Sequence, residues 1–193
     1  METANEIIRS AEARNRLNNW VAVSVAIISA FLVVTKVKDD NIVQAMVLAK
    51  SNAVDTWAEY QSKRIKHHLS ELGLNQAQAL RAVVSKKDAV ELNKQAQSYV
   101  SSIARYEVDE QELKQKAKAY EKEYDTLNFR DDQFDLSDAA LSISLAMLAV
   151  TALTNKRWLL GLSWMFAGFG IVIGLAGLFN LNLHPDWLTS LLS

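Results

Sequence analysis

The chain has 193 residues, half of them apolar and 22% charged, with a formal net charge of -1, one Pro, six Gly and no Cys. The near-neutral balance leaves no bulk field to hold nucleic acid. The missing Cys excludes disulfides and thiolate chemistry, and so few Pro and Gly exclude a loop-rich or β-rich fold. Charged and apolar residues are segregated along the chain, so the expected class is an all-α membrane protein.

Residues 1–18 are polar, with Arg9, Arg14 and Arg16 set against Glu2, Glu6 and Glu12. No charged side chain follows between Leu17 and Thr35, and 19–35 is long enough to form a first transmembrane helix. Lys36-Val37-Lys38-Asp39-Asp40 is a poor cleavage site, which favours an uncleaved anchor over a signal peptide. From Asn41 the pattern is helical, with Ile42, Met46, Ala49, Ala53, Trp57 and Tyr60 on one stripe and, after a small phase shift, Ile65, Leu69 and Leu72. Leu72-Gly73-Leu74-Asn75 predicts a stop and a restart, with Gly73 as a left-handed C-cap, Asn75 as an N-cap and a short helix over 75–84.

Ser85-Lys86-Lys87-Asp88 predicts the start of a long helix. It carries a heptad seam at Ala89, Leu92, Ala96, Tyr99, Ile103 and Tyr106, continued by Leu113, Ala117, Tyr120, Tyr124, Leu127 and Phe134. Glu110 and Asp131 interrupt it, fixing register or facing a wet interface. Residues 36–138 are therefore expected to form an antiparallel, coiled-coil-like helical hairpin outside the membrane. Leu92, Ala96, Tyr99, Ile103, Tyr106, Leu113, Ala117 and Tyr120 form its packing and oligomer seam, because two helices alone bury little area.

Residues 139–154 read as a second span, Asn155-Lys156-Arg157 as a tight turn and 158–181 as a third span. The third holds Ser163, Ala167, Gly170 and Gly174 at small-xxx-small spacing, which lets helices touch in lipid. Residues 182–193, with Trp187 and Leu188, are expected to form an interfacial tail. Arginines in the first segment, Lys156 and Arg157 in the turn, and no Lys or Arg in the tail place the N-terminus in the cytoplasm. The hairpin and C-terminus then lie outside, in the periplasm if the cell is Gram-negative.

The passage Asn19-Trp20-Val21-Ala22-Val23-Ser24, followed by Thr35-Lys36-Val37-Lys38-Asp39-Asp40-Asn41-Ile42 and by Ser51-Asn52-Ala53-Val54-Asp55-Thr56-Trp57, resembles the bacterial membrane family built on domain-of-unknown-function DUF4337. The resemblance implies a bacterial membrane protein and brings no catalytic or binding residues with it.

Other features offer little chemistry. His67, His68 and Glu71 lack further metal ligands nearby, and helical spacing scatters Glu107, Asp109 and Glu110, or Asp131, Asp132, Asp135 and Asp138, around the axis. The spans carry no ionisable residue between their ends, which disfavours a coupled transporter. Ser24, Ser29, Ser142, Ser144 and Thr151 either bond within or between helices or line a narrow pore. The expectation is a non-enzymatic structural and interaction protein of an inner membrane, without cofactor or metal, whose partners are membrane lipid, copies of itself and envelope proteins. A pore or accessory channel subunit is the alternative, and an envelope sensor the third reading.

Overall fold

The computed structural model describes residues 2–181 and is all-helical over that range. Three helices follow in order: α1 (Glu2–Arg81), α2 (Lys86–Thr154) and α3 (Arg157–Phe179). By length and composition, each contains a stretch able to cross a membrane. The interfacial tail expected over 182–193 lies outside the described residues.

α1 ends eight residues later than the Gly73 stop predicts, and the short helix expected over 75–84 is absent. Residues 75–81 belong to α1, and the chain turns at 82–85. Gly73 keeps a helical backbone, with no positive φ. A Cβ there would lie 2.6 Å from Tyr99 Cζ, so its missing side chain makes room for the Tyr99 ring instead of serving a left-handed cap. α2 begins where predicted: Ser85 Oγ accepts from the Asp88 amide at 3.4 Å and donates to the Asp88 carboxylate at 2.7 Å. It then runs unbroken through Asp131 and Asp138. α2 stops at Asn155, whose left-handed φ of 57° turns the chain into α3, and Asn180 ends α3 the same way at φ 56°.

The chain divides into two compact units, Met46–Asp125 alone and Met1–Ala45 together with Thr126–Ser193. In the unit Met46–Asp125 the α1 and α2 segments run antiparallel. Lys50 Nζ sits over the Tyr124 ring, Trp57 Nε1 donates to Glu121 at 2.8 Å, Lys63 meets Asp109, and Gly73 meets Tyr99. The α2 seam from Leu92 to Tyr120 is half-buried, with Ala117 fully buried. On α1 the stripe through Met46, Ala49, Ala53, Trp57 and Tyr60 does not shift phase. It continues as Lys63, His67, Ser70 and Leu74 to Ala77, while Ile65, Leu69 and Leu72 are left about 60% exposed. The sequence reading placed those three inward because they are apolar. The positions that α2 covers are set instead by the unbroken 3.6-residue phase.

In the other unit, the first part of α1 packs with the end of α2 and with α3. Val21, Ile28, Leu141, Leu148 and Ala167 form the core, with Phe31, Leu32 and Leu160 against it.

Candidate functional site

Three polar constructions within the helical packing are the candidates for function. The first, in the unit Met46–Asp125, is a pair of cross-helix contacts. Lys63 Nζ lies 2.6 Å from an Asp109 carboxylate oxygen, and His67 Nδ1 lies 2.7 Å from Glu110 Oε1, with both His67 and Glu110 more than four-fifths buried. Glu110, which interrupts the α2 seam, therefore faces a residue that interrupts the α1 stripe at the matching height. One-residue slippage would separate the pairs, so they fix register, the best-attested use of such groups in a helical seam. The Asp109 carboxylate holds the Lys63 ammonium above its ordinary pKa, mainly through their hydrogen bond. Glu110 and His67 also border an open groove of about 440 Å³ that reaches Tyr60, Lys114 and Lys118. His68 stacks on His67 with centroids 5.8 Å apart, and its Nδ1–H donates to the Glu71 carboxylate 2.9 Å away. Among the described residues, no three His, Asp or Glu side chains converge as metal ligands.

The second construction is a carboxyl cluster beyond the apolar stretch of α1. Asp39 is only 4% exposed because it shares the phase of Thr35, Ile42 and Met46, all buried. Its Oδ2 is held by Lys36 Nζ at 2.9 Å, while its Oδ1 is buried without a hydrogen-bond partner. Asp131 on α2 comes within hydrogen-bonding reach of Asp39, and its carboxyl is pushed up to about 7, by burial first, then by that hydrogen bond and by the charge of Asp135. Asp135 is also raised, again by burial first and then by Asp39, with Lys36 acting the other way. The proton that burial keeps on Asp131 therefore sits beside the Asp39 carboxylate, which helps to hold it there.

The third construction joins α2 to α3. Ser144 and Ser163, both fully buried, donate to each other's backbone carbonyl at 2.9 Å, and Ser137 Oγ donates to Gly170 O at 2.8 Å. A Cβ on Gly170 would lie 2.8 Å from Leu141, and one on Gly174 would lie 2.6 Å from Ser137 Oγ and 2.9 Å from Phe31. Ser163, Ala167, Gly170 and Gly174 thus occupy one buried face within this chain. Of the other hydroxyls in the apolar stretches, Ser24 accepts from Trp164 Nε1 at 2.9 Å, and Thr151 donates back to Met147 O at 2.8 Å.

Sequence reasoning missed Lys63, His67 and Asp39 as inward residues. For Asp39 the signal was present, since it falls three and seven residues before Ile42 and Met46 on the same stripe. Gln133, fully buried and donating to Leu181 O at 2.8 Å, and Arg130, donating to Gly177 O at 3.2 Å, carry no signal of this in their spacing.

No curated protein and no solved structure matches the chain. A family model does, the domain of unknown function DUF4337, over residues 17–180. That match takes in the Asp39–Asp131 acids, the His67–Glu110 pair and the Ser144–Ser163 contact alike, and the chain belongs to this family.

Proposed function

We propose that the protein is a non-enzymatic structural and interaction protein of a bacterial inner membrane, anchored by spans at 19–35, 139–154 and 158–181, which presents its antiparallel helical pair outside and self-assembles. The N-terminus is cytoplasmic, and the helical pair and C-terminus are periplasmic. Hydroxyl-to-carbonyl bonds and glycine contacts between α2 and α3 support the membrane reading, since lipid gives apolar surfaces no reason to associate and close approach must hold the helices together.

The observation that carries the interaction reading is the face of α1 turned away from α2. Ile65, Leu69 and Leu72 stay about 60% exposed although the inner face of the same helix accommodates Lys63 and His67. Contiguous apolar surface of this kind marks contact with another molecule. Native mass measurement of the protein in mild detergent should give an integral multiple of the 21.6 kDa chain; a monomer at all concentrations overturns the assembly reading. Single cysteines at Ala11, Ser98 and Ser190 report topology, since the chain is otherwise free of Cys. The last two should label from outside and the first should not.

The carboxyl cluster at Asp39 and Asp131 supports a second reading, a pore or accessory channel subunit in which assembly brings several such clusters around an axis. A closed ring with a continuous axial opening in single-particle images favours it, and a plugged or splayed assembly favours the scaffold.

A further inference from the structure

α1 carries two seams, and only one of them is occupied. The inner seam faces α2. The outer one begins at Val47 and passes through Val54, Ile65 and Leu69 to Leu72, every one of them more than half exposed. Ser51, Ala58 and Ser62, also exposed, fill the steps between, so the stripe advances by threes and fours over ~26 residues, or about 39 Å of helix. At 3.6 residues per turn it lies roughly 180° from Ala53, Tyr60 and His67. In the unit Met46–Asp125 the exposed apolar residues of α2, Val90, Val100 and Val108, stand singly and form no such row.

We infer that this outer stripe of α1 is where two copies of the chain meet, as a parallel, in-register coiled coil. The inference rests on the membrane and self-assembly reading above, and it names the face involved. Copies inserted in one membrane leave it with the same polarity, so each presents the stripe to an identical stripe at the same height. Val47, Val54 and Ile65 then take core positions, and the flanking charges discriminate the arrangement. Lys50 lies just before core position Ser51 and Asp55 just after core position Val54, on opposite sides of the stripe and both exposed. In a parallel pair the residue before one core position faces the residue five further along in the partner. Swung off the Tyr124 ring of its own chain, Lys50 of each copy therefore meets Asp55 of the other, twice per dimer. An antiparallel pairing would not bring them together. A coiled coil of this length buries on the order of 1,000 Å² or more, the size expected of a specific interface.

The test uses the full-length, otherwise Cys-free chain in its membrane. Val47→Cys, Val54→Cys, Ile65→Cys and Leu72→Cys should each form a homotypic disulfide under mild oxidation, and Glu59→Cys and Val108→Cys, off the stripe, should not. Leu69→Asp in the Ile65→Cys background should reduce the disulfide-linked dimer by about tenfold, because it places a charge in a packed seam. Lys50→Asp should also weaken it, and adding Asp55→Lys should restore it. Cross-linking at Ile65→Cys with none at Val47→Cys would indicate an antiparallel pair and overturn the parallel register. An oligomer whose stripe cysteines do not cross-link more than the controls overturns the inference while leaving self-assembly standing, and a monomer removes both.

Discussion

The two units solve the same problem, holding helices together, with opposite chemistry. Between α2 and α3 the contacts are short: Ser144 and Ser163 exchange hydrogen bonds with each other's carbonyls, and Gly170 and Gly174 leave space for Leu141, Ser137 and Phe31. Between the antiparallel segments of the unit Met46–Asp125 the contacts are long. Lys63 reaches Asp109, Trp57 reaches Glu121, and rings of Tyr99 and Tyr124 fill the gaps against Gly73 and Lys50. The difference matches the composition of each set of helices, apolar in the one and charged in the other. Where water competes, burial of rings and alkyl stems drives pairing and charges can reach their partners from the rim. Where the surroundings are as apolar as the helices, only close approach and backbone-directed hydroxyls distinguish one contact from another.

The sharpest way to break this contrast is to fill the close approach. Gly170→Leu should destabilise by about 3 kcal/mol, near the upper end for overpacking, because Leu141 and the Ser137 carbonyl both stand near the new Cβ. Gly161→Ala, with nothing within 4 Å of its Cβ, is the control and should stabilise by about 0.5–1 kcal/mol, the helical gain of Ala over Gly. Equal melting temperatures for the two variants would remove the tight-packing account. Next in size is Ser144→Ala, expected to cost about 1 kcal/mol, with a double-mutant cycle against Ser163→Ala giving a coupling near 0.6 kcal/mol. Additive single effects would mean that the reciprocal bonds contribute nothing beyond packing.

In the helical pair, Gly73→Ala tests whether that glycine serves the ring of Tyr99. Alone it should be neutral or mildly destabilising, since the new methyl meets the ring. In a Tyr99→Ala background it should stabilise by about 0.5–1 kcal/mol, the usual helical gain of Ala over Gly. Stabilisation in both backgrounds would show that the ring does not need the space.

The last expected effect is the pH dependence of Asp131. Its carboxyl is raised by burial, by the Asp39 hydrogen bond and by Asp135 and Asp132, so the folded state holds a proton that the unfolded chain releases more readily. The stability contributed by that proton is present below the ordinary carboxylate range and is lost as pH rises through about 7. Asp131→Asn keeps the site neutral, and should flatten the melting temperature across this window and raise it slightly at the alkaline end. A wild-type melting temperature that climbs from mildly acidic pH to neutrality would contradict the raised Asp131 carboxyl.

Much of this arrangement is written in local sequence. The three apolar stretches, the start at Ser85, the turn at Asn155 and the phase of the α2 seam all depend on neighbours within a turn or two, and spacing alone reports them. That is why each of Leu92, Ala96, Tyr99, Ile103, Tyr106, Leu113 and Tyr120 falls on the half-buried face, and Ala117 on the buried one. Spacing could not decide which of the two faces of α1 turns inward beyond Tyr60. The outer face is the more apolar there, and the inner one carries Lys63 and His67, which are acceptable only because Asp109 and Glu110 stand opposite. Gly73 satisfies every local rule for a helix stop, yet a ring twenty-six residues away makes it a mid-helix contact. Asp39 reads as a solvated charge until α2 brings Asp131 against it. In each case the deciding group comes from another helix, and the energy of burying a polar or absent side chain depends on what that helix supplies.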